Sequence, residues 1–162
     1  MKKSGRDDRG FTIIEVIVVL IVLGILTAIV ISRGSSTATY TLRSEVDVVK
    51  THIRYAQARA MNASSVWGIQ FQDGNSYFLY KFETGQTSVI LPGEDSAVVN
   101  LPSGMTLAFD SNGRTVSFNS WGMPCTNADA TNKQNNDWRD ITVSFEGNTE
   151  RIRIRKNTGF IE

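Results

Sequence analysis

One carboxylate, Glu15, lies in an otherwise uncharged stretch of the chain. The stretch covers residues 11–31, contains no proline, and is otherwise interrupted only by two threonines and Gly24. A helix of that length spans about 31 Å, roughly the thickness of the hydrocarbon core of a bilayer. A carboxylate inside a membrane helix costs about 2.5 to 3.5 kcal/mol. Glu15 must therefore lie near the headgroups, beside the positive end of the helix dipole, or be neutralised by a partner.

A basic segment precedes this stretch and carries a recognisable signal. Residues 1–10 hold four basic side chains against two acidic ones, and the sequence GFTIIE follows at 10–15. A short basic leader that ends in glycine and runs into such a helix resembles the class III signal of type IV pilins and type II secretion pseudopilins. The resemblance implies that a prepilin peptidase cuts after Gly10 and methylates the new terminal amine on Phe11. It also implies that Glu15 pairs with the N-terminal amine of a neighbouring subunit during filament assembly.

The chemistry of the residues agrees with that pairing but leaves its geometry open. Cleavage creates a positive amine on Phe11, and an amine and a carboxylate neutralise each other where either charge by itself is costly. Because Phe11 and Glu15 lie four residues apart, the amine could also be met within its own helix. Gly24 and Ala28, also four apart, form a small-xxx-small face on which another helix could pack, or are incidental small residues that face lipid.

The leader also predicts the orientation of the chain. The formal charge is +1, and removal of the leader's net +2 leaves −1. By the positive-inside rule, residues 1–10 stay in the cytoplasm and the C-terminal region crosses the bacterial inner membrane into the periplasm. A competing interpretation is an ordinary secretory signal peptide, cut after the small-residue site at 36–38, that releases a secreted β-domain. The apolar run is long for such a peptide, and the site lies well beyond it.

The composition offers little for catalysis. The 162 residues are 41% hydrophobic and 20% charged, with one histidine, His52, and one cysteine, Cys125. These two are the only residues available for Cys–His chemistry, no nucleophile elbow or P-loop pattern occurs, and no second type of metal ligand lies at usable spacing from His52. We therefore expect a non-enzymatic protein with no catalytic residue, no metal and no cofactor. We expect His52 on the outer side of its helix.

Beyond the apolar stretch, the periodicity predicts a second helix and then strands. The Ser/Thr-rich run at 32–41 either continues the first helix or forms a flexible neck. Apolar residues from Leu42 to Ala60 recur at spacings of four and three, as on one face of an amphipathic helix. The turn sequences DGN at 73–75 and DSNG at 110–113 predict hairpins, and a long polar loop follows at 120–137. The predicted strands are 66–71, 77–82, 87–91, 97–101, 105–109, 115–119, 141–145 and 150–155.

These elements predict an α+β fold, and patterns in its head narrow the resemblance. The sequences YAQARAMN at 55–62 and RIRIRKNTG at 151–159 resemble the GspH/FimT group of minor pseudopilins and minor pilins. That likeness implies a subunit of the tip or shaft of a type II secretion pseudopilus or type IV pilus, with prepilin peptidase, other pilins and the inner membrane as partners. The predicted segments are a leader (1–10), a long transmembrane and filament-core helix (11–31), a neck and amphipathic helix (32–63), and an antiparallel β-sandwich-like head (64–162).

The last predicted strand carries a row of basic residues. Alternation along a strand places two isoleucines on one face and the arginines on the other. Guanidinium groups at this spacing can reach successive phosphates, and some FimT-like minor pilins bind DNA for uptake through basic C-terminal residues. We favour instead a solvated sheet face that discourages edge-to-edge pairing, in part neutralised by Glu146 and Glu150. The basic residues of the row are Arg151, Arg153, Arg155 and Lys156.

Overall fold

The computed structural model describes residues 11–32, 34–63 and 65–162. The predicted leader, including Gly10, lies outside the described residues. The chain divides into two compact units, Met1–Thr37 and Ala38–Glu162. We call the second unit the head.

The first helix, α1, spans Ile13–Ser32, close to the predicted 11–31. Thr12 caps its N-terminus, because the Thr12 side chain accepts a hydrogen bond from the Glu15 amide at 3.3 Å and its carbonyl accepts from the Val16 amide at 3.2 Å. Among the residues that the structure describes, no helix is both long and apolar enough to cross a membrane. The membrane-spanning role of 11–31 stays a prediction.

The second helix, α2, spans Gly34–Asn62, so the Ser/Thr-rich run belongs to a helix where it is described. The apolar stripe faces the core as predicted. His52 does not face outward, and that prediction is wrong: its side chain is buried, and its ring contacts the hydroxyl of Tyr77. The buried stripe consists of Leu42, Val46, Val49, Ile53, Ala56 and Ala60.

The strands form two antiparallel sheets. The larger sheet has the order β3-β2-β1-β6-β7, and β4 also pairs with β2; the smaller sheet has the order β5-β8-β9. The hairpin predicted at 73–75 is confirmed, since β1 and β2 pair directly across it. The strands are β1 Val66–Gln72, β2 Ser76–Phe82, β3 Gln86–Val89, β4 Val98–Asn100, β5 Thr106–Phe109, β6 Thr115–Phe118, β7 Pro124–Cys125, β8 Trp138–Phe145 and β9 Asn148–Arg155.

The hairpin predicted at 110–113 is wrong, because the two strands beside it belong to different sheets. Strand β5 pairs with β8, and β6 pairs with β1. The carboxylate of Asp110 accepts hydrogen bonds from the backbone amide of Asn112 at 2.9 Å and from that of Asp140 at 3.0 Å. The same side chain therefore closes the local turn and holds the end of β5 against β8, so the chain crosses from one sheet to the other.

The core of the head lies between α2 and the inner faces of both sheets. Ile152 and Ile154 of β9 are fully buried, which confirms the predicted alternation. Strand β8 begins three residues earlier than predicted, and the added residues include Arg139, which is also fully buried. Its guanidinium donates to the carbonyls of Gly113 and Thr115, both at 2.6 Å. Arg139 thus fastens the segment that crosses between the two sheets.

Candidate assembly sites

Phe11, which directly precedes the N-cap Thr12, and Glu15, in the first turn of α1, lie on the same side of the start of the helix. Both side chains are exposed, and they line one apolar depression with Val16, Val19 and Leu20. Thr12 at the N-cap and Glu15 at the third helical position have the spacing of a capping box. A carboxylate here also complements the positive end of the helix dipole. The Glu15 carboxylate therefore lies where a positively charged group at the start of α1 can pair with it.

The rest of α1 presents apolar side chains in every direction. Described side chains from Phe11 to Ile29 are all exposed. A β-carbon placed on Gly24 would meet nothing within 4 Å, and Ala28 is exposed one turn further on. The small-residue face predicted for helix packing therefore has open space beside it, and its role stays a prediction. A helix that is apolar all round is normally covered by protein or lipid.

The predicted basic row lies on the outer face of β9, but its charges are partly met within the head. Arg153 contacts Glu162 at 3.0 Å and Asp140 at 3.5 Å, while Arg151 lies 3.8 Å from Asp140. The guanidinium groups of Arg153 and Arg155 lie 4.4 Å and 5.2 Å from the ring centre of Trp138. Each of these contacts reduces the charge or the freedom with which the row can meet a phosphate.

The neutralising partners predicted for the row are corrected by the structure. Glu150 has the parity of Ile152, so it lies on the opposite face of β9 and contacts Arg43 of α2 at 3.0 Å. The acidic partners of the row are instead Asp140, which lies opposite Arg153 on β8, and Glu162 at the end of the chain. Lys156 donates a hydrogen bond to the carbonyl of Asn135 at 2.9 Å.

His52 and Cys125 have separate surroundings. His52 Nδ1 lies 2.8 Å from the Tyr77 hydroxyl and Nε2 lies 3.9 Å from a Glu94 carboxylate oxygen. Burial lowers the pKa of His52, and the negative charge of Glu94 opposes that shift. Burial raises the pKa of the Cys125 thiol, opposed by Lys133, which disfavours the reactive thiolate. Over the described ranges, no cluster of His, Cys, Asp and Glu side chains could hold a metal ion.

The 120–137 loop is rich in side-chain oxygens, the ligand type that binds cations. Several of these oxygens accept hydrogen bonds from within the loop. The Asp129 carboxylate accepts hydrogen bonds from the Asn127 side chain and from the Thr131 hydroxyl, the latter at 2.9 Å. Asn127 in turn accepts from the Asn132 amide at 2.8 Å. The Ser117 hydroxyl of β6 donates to the Asn127 carbonyl at 2.6 Å, which ties this loop to the larger sheet.

A contact that the sequence did not reveal joins α2 to two distant segments. The side-chain amide of Gln57 donates to the carbonyls of Gly122 at 2.9 Å and Thr158 at 3.2 Å. Gly122 and Gly159 both have positive φ, 75° and 63°, and lie against Gln57. Isolated glycines after Trp121 and before Phe160 were the signal available in the sequence, since they mark turns that need this conformation.

Comparison with known proteins found a family motif near the start of the chain and solved structures with a similar fold. The family model of the prokaryotic N-terminal methylation motif matches residues 5–31. No curated protein matches the chain. The solved structures below share 10 to 16% sequence identity with it, so they show the fold.

Two solved proteins have a similar fold. The type IV minor pilin FimU of Pseudomonas aeruginosa PAO1 is 16% identical, with 78% of this chain and 90% of that chain covered and a TM-score of 0.56. A second crystal form of FimU gives a TM-score of 0.53 at 16% identity, with 75% and 90% covered. The minor pseudopilin EpsH from the type 2 secretion system of Vibrio cholerae is 10% identical, with 75% and 94% covered and a TM-score of 0.57.

The motif and the fold together define the class. The chain has the α+β fold of the pilin-like proteins, and it carries their N-terminal methylation motif. The predicted resemblance to the type IV pilin and type II secretion pseudopilin superfamily is confirmed. The solved structures to which its fold is similar are a minor pilin and a minor pseudopilin.

Proposed function

We propose that this chain is a non-enzymatic subunit of a type IV-like filament. Prepilin peptidase cuts it after Gly10 and methylates Phe11, and residues 11–31 hold it in the bacterial inner membrane with the head in the periplasm. It then joins the tip or early shaft of a type II secretion pseudopilus or type IV pilus through α1. The observation that carries this proposal is the methylation motif at 5–31 on a chain whose head has the minor pilin fold.

The exposed surface of α1 supports the anchoring and assembly steps. Within α1 as far as Ile29, Glu15 is the one charged residue, and the apolar side chains around it are exposed. Lipid can cover such a surface before assembly, and the helices of other subunits can cover it afterwards. Helices in lipid associate through close packing and polar contacts, and the open face at Gly24 and Ala28 provides room for close packing.

The Glu15 carboxylate supplies the polar contact in this proposal. Its position in the first turn of α1, on the same side as Phe11, lets it receive the amine that cleavage creates on a neighbouring subunit. Neutralisation of both charges removes the cost of burying either one between packed helices. The contact forms only between subunits, so membrane insertion and cleavage do not need it.

The mature N-terminus is the direct test of processing. Mass analysis of the purified chain should find a sequence that begins at Phe11 and carries one added methyl group. A mature chain that begins at Thr39 would instead support the secretory signal peptide, and the filament proposal would fall. Replacement of Gly10 with a larger residue should leave the leader attached, which shows that the cut depends on this position.

The pairing role of Glu15 is tested with two variants. Glu15→Val should be inserted and cleaved as the parent is, but it should be depleted from sheared or purified filaments. Glu15→Gln is the matched control for shape, and it should be depleted too if charge is what matters. Normal incorporation of both variants would rule out the pairing.

The neighbouring genes distinguish the two kinds of filament. A cluster of secretion genes favours a pseudopilus, and a cluster of piliation genes favours a pilus.

DNA uptake is not part of this proposal, because Arg151 and Arg153 contact carboxylates and Arg155 stacks on Trp138. Changing the three arginines to alanine should leave any retention of DNA unchanged; a steep loss that depends on salt would identify a DNA site.

A further inference from the structure

The single histidine of the chain joins α2 to the larger sheet. His52 is 6% exposed, and the Tyr77 side chain of β2 is fully buried. His52 Nδ1 lies 2.8 Å from the Tyr77 hydroxyl, and the centres of the two rings lie 5.8 Å apart. His52 Nε2 lies 3.9 Å from a carboxylate oxygen of Glu94, which belongs to the segment between β3 and β4. One buried titratable ring therefore meets groups from two other elements.

These two contacts determine where the proton of the neutral ring lies. A carboxylate can only accept hydrogen bonds, so Nε2, which faces Glu94, carries the proton. Nδ1 is then the acceptor, and the Tyr77 hydroxyl donates to it. Burial raises the pKa of Tyr77, so this hydroxyl keeps its proton. Among the described residues, His52 is the one hydrogen-bond partner of the Tyr77 hydroxyl.

Protonation of His52 removes that acceptor. An imidazolium donates from both nitrogens, so the hydroxyl proton of Tyr77 is left unpaired in a buried place, which is unfavourable. Burial lowers the pKa of His52, and the negative charge of Glu94 only opposes that shift. The packed ring therefore binds a proton more weakly than a histidine ring in water does.

The protonated ring has room to leave Tyr77. His52 lines a shallow depression of about 380 Å³ on α2, together with Ser44, Asp47, Val48 and Thr51. The exposed Asp47 carboxylate lies 3.9 Å from the Lys50 ammonium, so its charge is already partly balanced. A ring that turns into this depression regains contact with water. The charged and titratable groups around the His52 and Tyr77 rings are Glu45, Asp47 and Lys50 of α2, and Glu94.

We propose that His52 is an acid-released latch between α2 and the larger sheet. While the ring is neutral, it accepts the Tyr77 hydrogen bond and holds β2 against the helix. When the ring takes up a proton, it leaves Tyr77 and turns into the depression on α2, and the contact between helix and sheet loosens there. Each pKa unit between the packed and the released ring shifts the balance about tenfold toward release at low pH. The inference concerns the head, and it does not depend on α1 or on cleavage after Gly10.

Nuclear magnetic resonance of the full-length chain in mild detergent tests the latch. The chain has one histidine, so isotope-labelled histidine gives a single ring signal whose pH titration belongs to His52. The pKa of this ring should lie below 6.5. Nuclear Overhauser contacts between the His52 and Tyr77 rings should be present above the titration midpoint and lost below it.

Two variants test the role of each neighbour of the ring. Tyr77→Phe removes the hydroxyl that pairs with the neutral ring, so it should raise the pKa of His52. Glu94→Gln removes the charge that favours the protonated ring, so it should lower the pKa of His52 further. The matched control is Asp95→Asn, because Asp95 is exposed beside Glu94 and forms no ion pair among the described residues. It should shift the pKa of His52 less than Glu94→Gln does.

Three results would overturn the inference. Ring contacts between His52 and Tyr77 that persist below the titration midpoint would show that protonation does not release the ring. A His52 pKa at or above 6.5 would show that the packed ring accepts a proton as readily as a ring in water. An unchanged or lowered pKa in Tyr77→Phe would show that the hydroxyl does not hold the ring in its neutral form.

Discussion

Arg139 provides a quantitative test of how the head is held together. Its side chain is fully buried and donates to the carbonyls of Gly113 and Thr115 at 2.6 Å, with a longer contact to Asn112 at 3.5 Å. Burial lowers the pKa of Arg139 to about 10, and the negative charge of Asp110 opposes the shift. The guanidinium therefore stays charged at neutral pH.

We expect Arg139→Met to lower the free energy of unfolding by about 3 kcal/mol. Hydrogen bonds to a charged group contribute about 1.5 to 3 kcal/mol each, so the two short bonds together contribute about 3 to 6 kcal/mol. The lower end applies because Gly113 is exposed and its carbonyl can regain water, and because methionine avoids the cost of burying a charge. Arg139→Lys should fall between methionine and the parent, since one ammonium cannot reproduce the fork that reaches both carbonyls.

The measurement is urea unfolding of the processed full-length chain in mild detergent, followed by tryptophan fluorescence. All three tryptophans, at 67, 121 and 138, lie in the head, so the signal reports on this unit. Arg114→Met is the matched control, because Arg114 lies in the same crossover and is exposed; it should stay within about 0.5 kcal/mol of the parent. An Arg139→Met variant as stable as that control would refute the proposed role of the guanidinium.

Two further changes to the head have clear expected outcomes. Because the pKa of His52 is lowered below 6.5 in the folded head, despite Glu94, the unfolded state binds more protons in acid. The free energy of unfolding should therefore fall as pH drops below 6.5 and level off below the native pKa, and His52→Gln should remove that part of the slope in urea titrations at several pH values. Gly159→Ala should destabilise the head more than Gly147→Ala, because both have positive φ but only Gly159 lies against Gln57; equal losses in thermal unfolding would contradict this.

The elements that repeat a local pattern could be predicted from the sequence. The stripe from Leu42 to Ala60 specifies the buried face of α2, because its spacing depends only on the helix period. The turn at 73–75 specifies a hairpin because both flanking strands lie within a few residues of it. The alternation of Ile152 and Ile154 with arginines specifies which face of β9 is buried.

Features that depend on distant partners could not be predicted. The 110–113 turn has a hairpin sequence, but its Asp110 carboxylate also binds the Asp140 amide, thirty residues further along the chain. His52 lies at the flank of the apolar stripe, and the partners of its buried ring, Tyr77 and Glu94, come from distant segments. The charge of Arg139 predicts an exposed side chain. Arg139 nevertheless lies on the same face of β8 as the buried Ile141. In each case the deciding contact comes from an element whose placement requires the whole fold.

The apolar stripe of α2 is buried in the core of the head, whereas the apolar residues of α1 are exposed. Variants can therefore test the folding of the head and the proposed assembly through α1 separately. The described core of the head is built from residues between Leu42 and Ile161, and it includes no residue of α1. The apolar side chains of α1 are exposed and require a partner outside that core. Glu15→Val should therefore leave the urea unfolding of the head unchanged while it depletes the chain from filaments. Arg139→Met should lower the free energy of unfolding of the head. It should leave cleavage after Gly10 intact. If Glu15→Val weakened the head as much as Arg139→Met, the assembly role could not be assigned to α1 separately from the stability of the head.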